Sequence, residues 1–247
     1  MKRAVLLTII FAILVASGTF LLKNQPISLP ESNPAQEQEN ASGEVLTGDV
    51  VTVATGTKYL SAEISYPKSN LLVKNKVLSE YYSWASDTEI FKMTDQTAKD
   101  IGLQEGMGYQ YQAEYQLATS SDTTSYVYDI YTFTAGAHGS AYTKVYSFDN
   151  AGKEIDIAKS LTDTQIQKIS KIAFEDIKKQ MLKNLEANSE DTAEINTEWL
   201  KEGTSPKREN YSVAWYEGED LVVYFGQYQV APYVFGEFEV RIPKKSL

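Results

Sequence analysis

The 247 residues are 43% hydrophobic and 23% charged, which suits one or two globular domains and excludes collagen-like, coiled-coil or wholly disordered chains. With 33 acidic residues against 23 basic ones the formal charge is −10, so no clustered basic surface is available and no nucleic-acid partner is expected. The lack of cysteine excludes thiol catalysis, disulfides and cysteine-ligated zinc, and a single histidine leaves little for other metal chemistry; no cofactor and no metal site are expected.

Lys2 and Arg3 precede an apolar run from Ala4 to Leu22. A basic segment followed by an apolar one reads as an export signal, and the length equally suits a helix crossing the bilayer. Ala16-Ser17-Gly18 offers a small-residue cleavage site, while Phe20-Leu21-Leu22 carries the hydrophobicity past it. Residues 1–23 are expected to be a signal peptide or a membrane anchor helix, embedded through residues 4–22 if uncleaved. The positive N-terminus stays inside, so the rest is expected outside the cytoplasm, anchored in the cell membrane or secreted. A lipoprotein anchor is excluded by the missing cysteine. Without Lys2, Arg3 and Lys23 the charge falls to about −13, which favours basic partners. Residues 24–49, rich in Pro, Gln, Glu, Asn and Ser, read as a disordered tether.

From Val50 the pattern becomes that of an ordered domain, with an N-terminal half at 50–119 and a C-terminal half at 120–247. Thr52 to Tyr66 predicts one or two strands. Ser69 or Asn70 can cap a helix whose Val73, Val77, Tyr81 and Trp84 share one face, continuing in some form to about Lys99. Met107 to Leu117 alternates strictly, with Met107, Tyr109, Tyr111, Ala113, Tyr115 and Leu117 on one side, which is a half-buried strand. Strands follow at Tyr126–Thr134 and Tyr142–Phe148, then a turn at Asp149 to Gly152 and a short extended piece at Glu154–Ile157. Thr162-Asp163-Thr164-Gln165 is a capping box opening a helix with an apolar stripe of Ile166, Ile169, Ala173, Ile177, Met181 and Leu185. A shorter helix is expected near Glu190–Leu200, and strands at Tyr211–Tyr216, Leu221–Phe225 and Glu237–Ile242. Strands in runs rather than alternating singly with helices predict an α+β fold, antiparallel sheet or sheets packed by two main helices.

His138 lies between two expected strands in Ala135-Gly136-Ala137-His138-Gly139-Ser140. Small residues there allow a tight crossing with His138 bonded to backbone; contact with a ligand is the second reading. A triad with Ser140 lacks the strained nucleophile turn, and no calcium-loop spacing is present. Paired carboxylates can hydrolyse glycosides, but acid spacing in sequence does not reveal such pairs. Tyrosine is abundant, at 17 residues. Tyr224, Tyr228 and Tyr233 crowd the Gly- and Pro-punctuated stretch Phe225 to Gly236, which reads either as a cover on the sheet end or as a recognition loop, since Tyr offers amphipathic area at low entropic cost.

Thr132 to Gly139, followed by Tyr146-Ser147-Phe148-Asp149 and Gly152-Lys153-Glu154, resembles a G-A-H-G region with an F-D-x-x-G-K hairpin. Phe225 to Gly236, ending in Val240-Arg241-Ile242-Pro243, resembles a terminal Y-x-V-A-P-Y-x-x-G signature. Together they resemble the paired extracytoplasmic domains of unknown function found in RsiV-type anti-sigma factors and PdaC-type peptidoglycan deacetylases, over roughly Val50 to Leu247. The resemblance implies an α+β ectodomain, which in RsiV-type proteins is a receptor for lysozyme and in PdaC-type proteins accompanies a metal-dependent deacetylase. One histidine does not supply that enzyme's metal ligands, and with only Met1 to Arg3 before the apolar run no sigma-binding segment is expected. The expectation is therefore a non-enzymatic binding domain of the bacterial cell envelope, recognising lysozyme or another basic protein. The alternatives are a peptidoglycan-binding accessory module and a carboxylate-dependent wall hydrolase. The expected contacts are Gly136, His138, Gly139 and Tyr142 in one loop region and Tyr228, Pro232 and Tyr233 in the other.

Overall fold

The first ordered residues form a hairpin, β1 (Val50–Thr57) and β2 (Leu60–Pro67), paired antiparallel from Val50 opposite Pro67 to Thr57 opposite Leu60. The computed structural model describes residues 50–103, 108–187 and 195–247. The expected signal or anchor segment, the tether, Met107 and the start of the helix expected near 190 lie outside the described residues. Among the described residues no helix is long and apolar enough to cross a membrane.

Helix α1 (Leu71–Asp87) begins where Asn70 accepts a hydrogen bond from the Val73 amide at 3.1 Å. Its buried face is Val73, Val77, Tyr81 and Ala85, four residues apart as a helix requires. Burying each of the two valines is worth about 1.5–3 kcal/mol. The helix does not run on to Lys99. The Thr88 hydroxyl bonds back to the Trp84 and Ala85 carbonyls at 2.9 and 3.3 Å, and Glu89 turns left-handed with φ 53°. A 3-10 turn (Ile90–Lys92) and the short α2 (Asp95–Asp100) follow.

The next strand, β3 (Tyr109–Thr119), pairs parallel with β2, Leu60 opposite Tyr109. This corrects the purely antiparallel expectation. A helix lies between the two strands, and such a crossover returns the chain in the same direction. β3, β4 (Thr123–Phe133), β5 (Ser140–Asp149) and the two-residue β6 (Glu154–Ile155) then run as an antiparallel meander, completing a six-stranded sheet in order β1 to β6.

β4 is buried on both faces. Tyr126, Tyr128 and Ile130 join Ile64, Tyr111, Ala113 and the α1 residues in one core. Val127, between them, joins a second core built from later elements. On that second face the Ser125 and Ser147 hydroxyls bond each other at 2.8 Å within the core.

A four-residue helix, α3 (Ile157–Ser160), leads to α4 (Asp163–Ala187). The capping box forms: the Thr162 hydroxyl accepts from the Gln165 amide at 3.2 Å, and the Gln165 side chain accepts from the Thr162 amide at 2.9 Å. Ile166, Ile169, Ala173, Ile177 and Met181 are all buried, Leu185 half-buried, while Lys168, Lys171, Lys179 and Lys183 face solvent. α5 (Thr197–Gly203) is capped by Asn196, and a 3-10 turn (Arg208–Tyr211) occupies the first part of the strand expected from Tyr211. β7 (Ala214–Glu217), β8 (Asp220–Phe225) and β9 (Phe238–Pro243) form a separate three-stranded antiparallel sheet. Leu221 to Phe225 of its central strand are buried without a break, as in a strand covered on both faces. α4 touches β9, where the Gln180 amide donates to the Glu239 carbonyl at 3.0 Å.

Candidate functional site

The hairpin tip between β4 and β5 spans Thr134 to Gly139. Thr132 opposite Ser140 is the last ladder pair, and Ala135 takes a left-handed φ of 59° to start the turn. His138 donates through Nδ1 to the Gly139 carbonyl at 2.8 Å, which leaves Nε2 as the acceptor in the neutral ring. Gly139 is required by close approach: a Cβ there would meet the Tyr131 ring at 2.2 Å. Gly136 has open space around it.

The second loop, 226–236, is pinned to the molecule at several points. Val230, Ala231 and Phe235 are buried in the second core. Gln229 donates to the Asn210 carbonyl at 2.9 Å and accepts from the Gly226 amide at 3.2 Å. Trp199 donates to the Tyr228 carbonyl at 3.1 Å. Pro232 then opens a 3-10 turn (Tyr233–Phe235), closed by Gly236 at φ 71°. Tyr228 is left-handed at φ 63°, a conformation that β-carbon-bearing residues adopt only when their surroundings hold it.

These two loops meet. The His138 and Tyr233 rings stack with centroids 4.3 Å apart at 30°, and the Tyr228 ring lies 5.8 Å from Tyr233 at 37°. The Tyr233 hydroxyl donates to the Gly139 carbonyl at 3.5 Å, and the Gln227 side chain accepts from the Ala141 amide at 3.4 Å. What remains outward is apolar and aromatic: Tyr228 is 49% exposed, Tyr233 36% and Val234 61%. His138, Tyr228, Pro232 and Tyr233 thus share one surface, with Gly139 buried behind it against the Tyr131 ring and Gly136 on the outer part of the hairpin tip.

Tyr142 does not belong there. It stands opposite Ile130, so its ring lies on the α1 side of the sheet, where its hydroxyl donates to Glu80 at 3.3 Å and burial holds its ionisation well above the ordinary phenol value. Residues missed from sequence are Tyr131, whose ring backs Gly139, and Gln227, Gln229 and Trp199, which fix the second loop. The signal for the glutamines was their place on either side of Tyr228.

A set of acids lies next to this surface. Asp129, two residues before Tyr131, accepts from the Thr143 hydroxyl at 3.4 Å. Glu237 directly follows Gly236. Its carboxyl is raised above the ordinary 4.5, first by desolvation among the surrounding groups and then by the charges of Asp129 and Glu239, with a hydrogen bond from the Tyr224 hydroxyl offsetting part of this. Among the described residues no three histidine, aspartate or glutamate side chains are grouped to hold a metal ion.

The fold and surface describe an α+β domain whose two cores share one strand and whose two loops join in an exposed aromatic patch. Residues 156–245, which hold the second loop, match a family described as a protein of unknown function, DUF3298. Over 205 residues the chain is 27% identical to the peptidoglycan-N-acetylmuramic acid deacetylase PdaC of Bacillus subtilis (strain 168). That alignment takes in 81% of this chain and 40% of the relative, so the chain spans less than half the length of the deacetylase. The expected resemblance to PdaC-type proteins is matched by this overall similarity. Crystal structures of DUF3298 proteins from Bacteroides fragilis and Pseudomonas aeruginosa superimpose with TM-score 0.48 each, at 17% and 15% identity, over 80% and 81% of this chain and 90% and 92% of theirs.

Proposed function

We propose that this chain is a non-enzymatic recognition domain of the bacterial cell envelope. In this reading residues 1–23 carry it outside the cytoplasm, as an anchor or as a cleaved signal. Its ligand is a basic protein such as lysozyme, and the contact surface is the pair of loops around His138 and Tyr228 to Tyr233. One observation carries this: loops more than 90 residues apart in sequence are stacked ring on ring, with Tyr228, Tyr233 and Val234 left open to solvent. Rigid aromatic anchors of this kind dominate protein recognition sites. The charge of about −13 beyond the N-terminal segment would speed encounter with a basic partner. Similarity to PdaC supports a cell-wall setting, and the RsiV-type resemblance of the two motifs supports lysozyme.

Calorimetric titration with lysozyme tests it, at low and at physiological salt. The expected result is one-to-one binding that survives physiological salt and weakens by about tenfold or more in Tyr233→Ala. Heat at low salt alone would mean unspecific charge attraction. Unchanged binding by a folded Tyr233→Ala variant would move the contact elsewhere.

The similarity to a peptidoglycan deacetylase favours a second reading, an accessory module that holds peptidoglycan. Cosedimentation with insoluble peptidoglycan distinguishes it, and release of soluble wall fragments in the same mixture would reveal a hydrolase.

A further inference from the structure

Gly226, Gln227, Tyr228 and Gln229 form a four-residue turn, closed by the Gln229 amide donating to the Gly226 carbonyl at 3.1 Å. Tyr228 is its third residue, at φ 63°. A positive φ at that place suits glycine or asparagine, because a β-carbon crowds the following carbonyl oxygen. Tyrosine is neither, and its ring is half-exposed, with Tyr233 beside it at 5.8 Å. Residues strained in this way persist only where their surroundings hold them, and they gather at functional sites.

The hold comes from α5. The Asn196 side chain accepts from the Trp199 amide at 3.0 Å and so fixes the first turn of the helix. From there the Trp199 indole N–H, which is a donor only, reaches the Tyr228 carbonyl at 3.1 Å. At the other end of α5, Gly203 lets the turn press against the helix: a β-carbon there would lie 2.1 Å from the Gln229 carbonyl oxygen. Gln229 is bonded to the Asn210 carbonyl, and Val230 behind it is buried. The base of the turn is thus packed by residues other than Tyr228, and the tyrosine ring is what the turn displays.

We infer that Trp199 is a positioning residue for recognition: its indole N–H holds the Tyr228 backbone left-handed, so that the Tyr228 ring stands beside Tyr233 as a fixed anchor for the partner protein. The inference rests on the reading of the aromatic patch as a protein-recognition surface, with lysozyme as the partner tested. A ring already fixed loses less freedom on binding than one on a loose turn. The indole bond is exposed to solvent. Water can take over both of its ends, so removing it loosens the display of Tyr228 without unfolding the chain.

The test compares the full chain with Trp199→Phe, Tyr228→Ala, Tyr228→Gly and the pair Trp199→Phe with Tyr228→Ala. Calorimetric titration with lysozyme at physiological salt reads affinity, and thermal unfolding reads stability. The one-bond Cα–Hα NMR coupling of residue 228, smaller at positive than at negative φ, reads its backbone. Tyr228→Gly is expected to melt above Tyr228→Ala, the reverse of the usual order, because both lack the ring and only glycine is free of the strain. Both should bind lysozyme about tenfold or more weakly. Trp199→Phe should melt close to the parent, shift the Tyr228 coupling towards its negative-φ value and weaken binding about threefold. In the Tyr228→Ala background it should weaken binding no further. A purely structural Trp199 would instead lower the melting point and leave the affinity of the folded chain unchanged, and that result overturns the inference. So does an unmoved coupling in Trp199→Phe, or a Tyr228→Ala variant that melts at or above Tyr228→Gly. Binding by the parent that survives intact in Tyr228→Ala overturns the anchor and keeps lysozyme as the partner. A parent that binds no lysozyme overturns the partner reading, and the anchor role falls with it.

Discussion

If the stacked rings of His138 and Tyr233 hold the two loops together, removing either should lose most of what removing both loses. The perturbation is a double-mutant cycle of His138→Ala, Tyr233→Ala and the pair. Aromatic pairs contribute about 0.5–1.5 kcal/mol beyond area burial. Tyr233 keeps 36% of its surface in solvent, which places this pair in the lower half, at about 0.5–1 kcal/mol. The 3.5 Å bond from the Tyr233 hydroxyl to the Gly139 carbonyl is at the limit of hydrogen-bond length and adds little. Urea unfolding at constant slope reads the cycle. For a slope of about 3 kcal/mol/M, a coupling of about 1 kcal/mol moves the midpoint by about 0.3 M relative to additive behaviour. A coupling below about 0.3 kcal/mol would refute the reasoning, because the rings would then touch without holding the loops.

Gly139→Ala would drive a methyl into the Tyr131 ring; a loss of about 1–3 kcal/mol is expected on thermal unfolding, with weaker lysozyme binding if the patch is the contact. Thr162→Ala removes the acceptor for the Gln165 amide at the start of α4 and should cost about 0.5–2 kcal/mol, read by the same method. Glu237 has a folded value above its ordinary 4.5, so the folded state binds more protons there and its contribution to stability falls as pH rises through and beyond 4.5. Glu237→Gln is therefore expected to melt higher than the parent at pH 7, with the gap closing as pH drops below 4.5; a gap that widens on acidification would reverse the sign.

Periodicity carried the strands and the two main helices, because alternation in β3 and the apolar stripe of α4 directly record which face is buried. The end of α1 was less legible, since a threonine bonding back to Trp84 and Ala85 looks in sequence like any other polar residue in a helix. The parallel pairing of β2 and β3 was implicit in having a helix between them, but strand runs later in the chain suggested antiparallel order throughout. Two loops were singled out by unrelated signals, small residues around His138 and tyrosines around Pro232, and the fold brings them into contact. Tyr142 was grouped with the wrong loop because nearness in sequence outweighed parity: it pairs with Ile130, and both point to α1. Asp129, Tyr224 and Glu237 were beyond reach, because strands from different sheets set their proximity and no spacing in the chain encodes it.

The double burial of β4 bears on how this protein could have been assembled. Tyr128 and Val127 are neighbours in sequence, yet each is a wall of a different core. A strand used twice in this way is a party wall, and neither house stands when the other is demolished. The stretch 156–245 that resembles a known family supplies one side of that wall only. Excised alone, it would leave the surface that meets Val127 and Ala118 uncovered, so it should be expressed as an aggregating or unfolded fragment, and the chain from Val50 onward should melt in one step. The family match therefore covers part of the folding unit, which is the larger body containing both cores.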